Sequence, residues 1–579
     1  MSSMFREEKT AVERRTMSAM GFGHSTDTPL LVIAESKVVY MKGVESPVRQ
    51  EHCEWSHKQL RSRIICIMLS TLALALWLLP TRTFGSPSTN TSCDRLPDLM
   101  NPALGTIATA LVPANSLNVS GTFNSVAFCR VNGSVPYPED NTVFFEVWLP
   151  EADSYNDRFL AVDLSQGNGG MAGRIDYAAM VENVNKGFAT AGGDAGHRAS
   201  DNNDGDAYPG GVHLPYLHDR NQVLAWIRDS VALFTPPAKG ITDTYYQRAP
   251  RRTYYKGCST GGAQGFALAE FHPELFDGIA AGCPGNWYSH LALSFLWNQQ
   301  VTIGSAFLPQ ESLDLIRNAV LDECDLLDGV EDRVLENPLA CDFDLDGLAC
   351  QDPTSNTSTC LTPEQLAAAK EIYAGPRNSK TNVSLYPGFD LGSESEWMVQ
   401  QGLLSLSFSL PLLQNMVFDD LSYNGTAFDW AADVDALDEK VGSLIDAISP
   451  NLTSFKMNGG KLLVTQGWAD PFNAATWPID HLDEVSRVTG GERQDWLSLF
   501  MIPGGGHCGG AATYPQVPSK QNSLEALVEW VEKGQAPAYL VGVDPADGSK
   551  TTRKICSWPR TAKHIGVNAD KSDAYVCSD

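Results

Sequence analysis

Apolar and aromatic residues along this chain fall into short runs that are typical of buried strands. Glycine-rich turns follow several of these runs, and one turn leads into a stretch with the composition of a helix. Strand, tight turn, helix and strand therefore follow one another between residues 252 and 282. The predicted strands are residues 158–162, 252–256, 278–282, 461–466 and 497–502, and the predicted helix is residues 263–271.

The N-terminal part of the chain does not share this pattern. Residues 1–63 carry mixed charge without a helical or strand period, and they form a leader of uncertain status. The apolar stretch at residues 64–80 follows the basic residues Arg61 and Arg63. It is short for a membrane span, which needs about 20 residues. The pattern predicts the core of a signal peptide or, as the alternative, a signal anchor.

Composition and charge narrow the class of protein. Of the 579 residues, 43% are hydrophobic and 19% are charged, which excludes global disorder. The 42 Lys and Arg residues against 69 Asp and Glu residues give a net charge of −27. Such a surface repels nucleic acid and anionic membranes. A neutral partner or a bound cation is compatible with it.

Cysteines and glycosylation sequons place the chain in the secretory pathway. Eleven of the 13 cysteines lie after the apolar stretch, as in an oxidised disulfide framework. We therefore expect a secreted protein with N-glycans or, alternatively, a type II membrane-anchored protein with its catalytic domain outside. The sequons also lie after the apolar stretch, at Asn90, Asn118, Asn132, Asn356, Asn382, Asn424 and Asn451.

A candidate nucleophile lies in the turn after the strand 252–256. Residues 257–261 read Gly-Cys-Ser-Thr-Gly, which contains the pattern Gly-X-Ser-X-Gly. Between a strand and a helix, this pattern forms a strained turn that exposes the serine hydroxyl, and only flanking glycines permit it sterically. The context favours Ser259 as a catalytic serine over a plain glycine-rich turn.

A serine nucleophile needs a histidine base, and His507 is the candidate. It follows the strand 497–502 on a glycine-rich loop. Cys508 directly follows this histidine, just as Cys258 directly precedes Ser259. A disulfide between the two cysteines would hold both loops together and limit the separation of the serine and the histidine. His272 is the weaker alternative, since it ends the predicted helix before a proline.

The acid that orients the histidine is predicted to be Asp470. Hydrolases with this serine motif use the order Ser, Asp or Glu, His, and Asp470 lies on the loop after the strand 461–466. Asp480 and Asp483 are the alternatives, but they lie in a helical stretch. For the oxyanion hole, the backbone N–H of Thr260 is one predicted donor.

A glycine-rich loop after the strand 158–162 supplies the second oxyanion donor in this interpretation. It reads Gln-Gly-Asn-Gly-Gly-Met, and its glycines let backbone approach a substrate closely. Either Gly169 or Gly170 is the predicted donor. A phosphate cradle is disfavoured by the spacing and by the net charge of the chain.

These motifs resemble those of the tannase and feruloyl esterase family. The resemblance runs in collinear order from about Cys93 to the C-terminus, and the paired Cys-Ser and His-Cys elements are its most specific part. The similar segments are residues 145–150, 167–170, 194–197, 257–262, 277–279, 467–470 and 503–508.

The resemblance implies an α/β-hydrolase fold with a large lid inserted between the nucleophile and acid segments. It divides the chain into a first hydrolase part at residues 93–285, the lid at residues 286–455 and a second hydrolase part at residues 456–579. It also implies the triad Ser259, Asp470 and His507 and the disulfide Cys258–Cys508. The other cysteine pairs it favours are Cys324–Cys341, Cys350–Cys360, Cys556–Cys577 and Cys93–Cys129, with Cys283 left over.

The resemblance further implies a calcium loop in the lid. Calcium takes six to eight hard oxygen ligands in a flexible shell. From chemistry alone, the acidic residues of this loop form a solvated turn as readily as a metal site, and their spacing is not that of an EF-hand. The family's site implies structural Ca2+ held by the carboxylates of Asp325, Asp328 and Asp332 and the backbone carbonyls of Val330 and Val334.

The sequence thus predicts a serine carboxylic ester hydrolase, and the resemblance implies that it acts on phenolic acid esters, of the feruloyl esterase or tannase type. One alternative is an esterase of a secondary metabolite. The other is a calcium-stabilised glycoprotein whose hydrolase site is vestigial. Ala263 stands where the family commonly has arginine, and residues 472–477 depart from its commonest pattern, so the acyl and alcohol specificity stays open.

Overall fold

The secondary structure of the computed structural model covers the described residues 91–99, 108–164, 173–198, 213–352 and 359–579. In chain order the strands are β1 (Ala108–Val112), β2 (Asn118–Val119), β3 (Thr122–Phe123), β4 (Phe128–Tyr137), β5 (Asn141–Pro150), β6 (Arg158–Leu164), β7 (Ala189–Gly193), β8 (Arg252–Cys258), β9 (Gly278–Gly282), β10 (Lys461–Gly467), β11 (Leu497–Ile502), β12 (Gly505–Gly506), β13 (Gly509–Gly510), β14 (Pro518–Gln521), β15 (Tyr539–Pro545), β16 (Arg553–Cys556), β17 (Thr561–His564) and β18 (Tyr575–Ser578).

Helices lie between some of these strands, and short 3-10 and π turns join several of the helices. In chain order the helices are α1 (Leu96–Leu99), α2 (Tyr177–Asn185), α3 (Arg220–Leu224), α4 (Ser230–Tyr246), α5 (Thr260–Phe271), α6 (Tyr288–Val301), α7 (Gln310–Cys324), α8 (Pro363–Ala374), α9 (Leu410–Leu412), α10 (Ala432–Leu437), α11 (Ser443–Ile445), α12 (Thr453–Met457), α13 (Trp477–Thr489) and α14 (Ser523–Lys533).

Nine strands form the central sheet in the order β1-β4-β5-β7-β6-β8-β9-β10-β11. The strands β1, β4 and β5 pair antiparallel, and β5 also pairs antiparallel with β7. From β7 to β11 every neighbouring pair is parallel. A mixed sheet with this parallel half and helices on its faces is the α/β-hydrolase fold that the sequence predicted.

Both faces of the sheet are buried, which explains why its strands are nearly continuous hydrophobic runs. Leu462 and Val464 of β10 point into one core, together with residues of α4, α5 and α13. Leu463 lies between them in sequence and points into the opposite core, with residues of α2 and α14. The alternation follows from the two-residue period of a strand.

The predicted nucleophile segment forms nearly as expected, but its helix begins earlier. The sequence predicted a start at Ala263, where the apolar residues begin, whereas α5 starts at Thr260. Two glycines form the first turn because neighbouring backbone approaches them closely. A Cβ on Gly261 would lie 1.8 Å from the Asp163 carbonyl oxygen, and one on Gly262 would lie 2.5 Å from that of Gly282.

The segment between β9 and β10 is built of helices and turns, from α6 to α12. It contains the predicted lid, residues 286–455. Part of it has its own apolar core, in which Trp397 is fully buried with residues of α7 and α8. Another part packs Leu412 and Leu413 against Trp226 of the hydrolase segment, so its helices contact the rest of the molecule.

Five disulfides join pairs of cysteines among the described residues. They are Cys93–Cys129, Cys258–Cys508, Cys324–Cys341, Cys350–Cys360 and Cys556–Cys577. These are the pairs that the resemblance favoured. Cys283 is a free, buried thiol, as expected.

The predicted leader at residues 1–63 and the apolar stretch at residues 64–80 lie outside the described residues. Among the residues that are described, the helices are too short or too polar for any of them to span a bilayer.

Candidate active site

The predicted nucleophile lies at the sharp turn between β8 and α5. Ser259 has φ 61° and ψ −118°, a positive-φ backbone conformation that is uncommon for residues other than glycine. Its N–H donates to the carbonyl of Gly282 at the end of the neighbouring strand, at 2.9 Å. The turn is thus strained, as its motif predicted, and the neighbouring strand holds it in place.

The glycines of the serine motif are required by close backbone approach. A Cβ on Gly257 would lie 2.3 Å from the carbonyl oxygen of Gly261, and a Cβ on Gly261 would meet Asp163. Any side chain at these positions would push the turn open. The pattern Gly-X-Ser-X-Gly therefore has a steric cause in this chain.

Asp470 and His507 form a hydrogen-bonded pair on adjacent loops. The imidazole Nδ1 of His507 lies 2.9 Å and 3.0 Å from the two carboxylate oxygens of Asp470. The loop after β10 is fixed to the loop after β11 by a hydrogen bond from the Ala469 N–H to the carbonyl of Gly505, at 2.8 Å. Phe472 packs on the imidazole, with ring centroids 4.5 Å apart.

Asp470 is held as a carboxylate in spite of its burial. Burial disfavours its charge, but the charge and hydrogen bond of His507 and the N–H groups of Phe472 and Asn473 outweigh this effect. The pKa of Asp470 therefore lies below its usual value. Gln466 also donates to the carboxylate, at 2.9 Å. A buried carboxylate with these donors is suited to orienting an imidazole.

The disulfide Cys258–Cys508 brings the serine loop and the histidine loop together. Its Cα atoms are 6.1 Å apart. Ser259 follows one of these cysteines and His507 precedes the other, so the two candidate residues lie at neighbouring turns. Within the described part of the chain, the structure records no hydrogen bond from the Ser259 hydroxyl to His507.

The other candidates for the acid and the base lie away from this site. Asp480 and Asp483 are exposed residues of α13, and Asp483 forms an ion pair with Arg493. His272 lies at the end of α5, and its Nε2 is 3.0 Å from Asp229. None of the three contacts the pair of Asp470 and His507.

The predicted oxyanion donors are described only in part. Thr260 is the first residue of α5, a position whose N–H has no acceptor within the helix. Helix N-termini also favour negative charge. Gly169 and Gly170, the predicted second donors, lie outside the described residues.

An apolar pocket adjoins Ser259, and sequence reasoning did not identify its walls. Its lining comes mainly from the predicted lid and from the loop after β10, and no motif marks these positions. Only the chain fold brings them to the nucleophile. The lining residues are Ser259, Thr260, Gly285, Tyr288, Leu291, Ala292, Phe295, Phe408, Phe472 and Asn473.

The predicted calcium loop follows α7. We call residues 325–334 the acidic loop. Asp325 and Asp332 each accept the Val334 N–H with one oxygen, at 3.1 Å, and Asp328 accepts the N–H of Val330 at 2.9 Å. The second oxygen of Asp328 is buried, accepts no hydrogen bond from the described residues and lies 3.5 Å from the Arg553 guanidinium.

Arg553 is a residue at the acidic loop that sequence reasoning missed. Its buried guanidinium lies 2.7 Å from Asp332, 3.1 Å from Glu336 and 3.5 Å from Asp328. No sequence pattern signals this contact, because Arg553 comes from β16, far along the chain. Within the described residues, the carboxylates of the acidic loop do not form a compact ligand cluster, whereas Cys283, Asp470 and His507 do.

Comparison with known proteins identifies the family of the chain. A family profile described as tannase and feruloyl esterase matches residues 129–578. The chain belongs to the tannase and feruloyl esterase family. It is accordingly a carboxylic ester hydrolase with the α/β-hydrolase fold.

Individual members of the tannase and feruloyl esterase family cover most of the chain. An uncharacterised esterase of Xanthomonas campestris pv. campestris is 31% identical over 573 residues, covering 90% of this chain and 96% of its own length. Feruloyl esterase B of Aspergillus niger is 30% identical and covers 78% of this chain and 87% of its own length. The crystal structure of feruloyl esterase B from Aspergillus oryzae has a TM-score of 0.74 at 23% identity, covering 84% of this chain and all of that one.

Proposed function

We propose that the chain hydrolyses esters through a triad of Ser259, Asp470 and His507. The observation that carries the proposal is the hydrogen bond between Asp470 and His507, at 2.9 Å, together with the disulfide that ties the loop of His507 to the strained turn of Ser259. A serine hydroxyl is a weak nucleophile until a base takes its proton. The pair supplies that base and the acid that orients it.

In this mechanism, Ser259 attacks the ester carbonyl while Nε2 of His507 takes the hydroxyl proton. Asp470 accepts the Nδ1–H of the imidazole, which fixes its tautomer and balances the positive charge that forms. His507 then protonates the leaving alcohol. Water attacks the acyl-enzyme in the same way and releases the acid. The serine–histidine hydrogen bond, which the structure does not record, is expected to tighten when substrate binds.

The oxyanion of each tetrahedral intermediate needs two N–H donors. We propose the N–H of Thr260, at the start of α5, and an N–H of Gly169 or Gly170. The first assignment is supported by the position of Thr260 beside Ser259 and by its helix N-terminus. The second rests on the glycine-rich sequence of the loop.

We further propose that the acyl group is phenolic, of the feruloyl or galloyl type. Relatives with the names feruloyl esterase B and tannin acyl hydrolase support this class. Aromatic side chains of the kind that stack on a flat ring line the pocket at Ser259, although its volume of about 20 Å³ must widen to admit that ring. Two rival proposals keep the same fold. In one, the substrate is an ester of a secondary metabolite, and in the other the site is vestigial and turns over no ester.

A substrate panel separates these proposals. We expect wild type to hydrolyse methyl ferulate or methyl gallate, and Ser259→Ala to lose at least about 10³-fold in kcat. The control is the unfolding curve of Ser259→Ala, which should match wild type. Turnover of a short-chain nitrophenyl ester alone would favour the secondary metabolite. No turnover of any ester would favour the vestigial site.

We also propose a structural Ca2+ at the acidic loop. The fitting ligands are oxygens of Asp325, Asp328 and Asp332 and the carbonyls of Val330 and Val334. The buried second oxygen of Asp328 supports the fit, since no hydrogen bond satisfies it. Three carboxylates, those of Asp328, Asp332 and Glu336, lie within 3.5 Å of one guanidinium here, so negative charge is left over for a cation.

We propose that the protein is secreted and carries N-glycans, or is membrane-anchored through residues 64–80 with its catalytic domain outside. The exposure of every sequon asparagine in the described part supports glycosylation, namely Asn118, Asn132, Asn382, Asn424 and Asn451. N-terminal sequencing of the mature protein distinguishes cleavage from anchoring. Digestion with an endoglycosidase, followed by mass measurement, tests the glycans.

A further inference from the structure

A buried thiol lies beneath the candidate triad. Cys283 directly follows β9, just as the loops of Asp470 and His507 follow β10 and β11. Since these neighbouring strands are parallel, their carboxyl ends meet at the same edge of the sheet. The side chain of Cys283 is 1% exposed, and its sulfur accepts the N–H of Cys508 at 3.2 Å.

The thiol completes a set of three metal-ligand types. One ligand atom each from Cys283, Asp470 and His507 lie within 4.8 Å of one another. A tetrahedral Zn2+ bound at about 2.0–2.3 Å needs donor atoms roughly 3.5 Å apart, so shifts of about 1 Å bring the three into range. Thiolate, imidazole and carboxylate are all ligands of this ion.

The surroundings of the three ligands also suit a cation. A cavity of about 490 Å³ borders Cys283, His507 and Cys508 and offers a route for the ion and room for water as a fourth ligand. Three protein ligands with one open position are the arrangement of catalytic zinc sites. The net charge of −27 raises the local concentration of cations around the protein.

We propose that Cys283, Asp470 and His507 form a binding site for Zn2+ or a similar thiophilic divalent cation, and that occupancy of this site inhibits the enzyme. Binding releases the thiol proton to solvent, and the neutral imidazole changes tautomer, so that its proton moves from Nδ1 to Nε2. The ion coordinates the His507 nitrogen and the Asp470 carboxylate and thereby replaces the hydrogen bond that the triad requires. The predicted inhibition therefore rests on the proposed function. Ca2+ and Mg2+ prefer all-oxygen ligands and do not replace Zn2+ here.

The first test is a Zn2+ titration of ester turnover without reductant, each enzyme being normalised to its own metal-free rate. We expect the Zn2+ concentration that halves turnover to be at least about 10-fold lower for wild type than for Cys283→Ala and Cys283→Ser, because each variant has lost one of the three ligands. The Ser variant keeps the size of the side chain while replacing sulfur by a harder donor. Equal sensitivity of wild type and the Ser variant, or no inhibition of wild type, overturns the proposal.

The second test measures binding without activity. In Ser259→Ala, Cd2+ should give the ultraviolet charge-transfer absorption of a metal thiolate, and Zn2+ should suppress it by competition. The absorption should vanish in Ser259→Ala/Cys283→Ser. Its absence from Ser259→Ala, or its persistence in the double variant, overturns the metal site. If esters are not turned over but the absorption appears, the proposed function fails and the metal site stands.

Discussion

Cys258 and Cys508 are 250 positions apart in the chain, yet their Cα atoms are 6.1 Å apart and a disulfide joins them. Each cysteine is a direct neighbour of a candidate catalytic residue, Ser259 on one side and His507 on the other. The disulfide therefore fixes two loops that follow non-adjacent strands, β8 and β11. It also limits how far the nucleophile and its base move apart.

Removing this disulfide should reduce activity before it unfolds the core. We expect Cys258→Ala/Cys508→Ala to lose at least about 10-fold in kcat, since misplacement of catalytic groups by about 1 Å is costly. Both cysteines are replaced so that neither pairs with Cys283. The matched control is Cys350→Ala/Cys360→Ala, which removes a disulfide away from the triad. Full activity of the first double variant at unchanged stability would contradict the prediction.

Asp470→Asn tests whether the carboxylate orients His507. The amide keeps the shape of the side chain but no longer stabilises the imidazolium or selects its tautomer, so we expect kcat to fall by about 10³- to 10⁴-fold. KM should change little. Asp483→Asn, an exposed alternative, is the control and should leave kcat within about twofold. Comparable losses in the two variants would refute the assignment of the acid.

The triad candidates could be predicted from sequence because each has a local signal. Ser259 lies between glycines that close backbone approach requires, and His507 and Asp470 follow apolar runs that form β11 and β10. Strands end where such runs end, so the loops at the sheet edge are also predictable. The pairing of the cysteines beside two of these residues reinforced the prediction.

Other parts of the site have no local signal. Phe408 borders the pocket at Ser259 only because the segment after β9 folds back over the sheet edge. Arg553 contacts the acidic loop from β16, and its partners are more than 200 positions away. Sequence patterns report local periodicity, whereas these contacts depend on how distant segments pack. The start of α5 was also missed, because glycine carries no apolar signal.

The walls of the apolar pocket should set the acyl specificity. Phe408→Ala removes a large aromatic side chain beside Ser259 and should change the ratio of kcat/KM for methyl ferulate to that for a short-chain ester by about 10-fold. The exposed Phe307→Ala is the control, because this residue does not line the pocket. If Phe408→Ala leaves the ratio as it is in wild type, the pocket does not hold the acyl group.

Removal of calcium should lower stability more than turnover, because among the described residues the acidic loop adjoins the triad only through Val334, which packs in one cluster with Ala469. In excess chelator, we expect the melting temperature of wild type to fall by several degrees while turnover at low temperature changes little. Asp328→Asn should lower the melting temperature and lose this response to chelator. The control is Asp346→Asn, which alters an exposed carboxylate of the predicted lid outside the acidic loop. This variant should keep the response of the melting temperature to chelator. An identical melting curve with and without chelator would remove the calcium proposal.

Glu394 should make the stability of the protein depend on pH. Its side chain is fully buried, with one oxygen accepting the Tyr373 hydroxyl at 2.6 Å and the Gly392 N–H at 2.9 Å. The other oxygen is buried without a partner. Burial raises the pKa of Glu394 to about 7.

Because this pKa is raised in the folded state, the folded protein keeps a proton that the unfolded chain releases above about pH 4.3. The stability from protonated Glu394 is therefore complete below that pH and is lost as the pH rises through about 7. In wild type, the free energy of unfolding, measured with denaturant, should decline between about pH 5 and pH 8. We expect Glu394→Gln to make this decline smaller by on the order of 2 kcal/mol. The exposed Glu529→Gln should keep the full decline. Parallel curves for wild type and Glu394→Gln would show that this carboxyl is ionised in the folded protein.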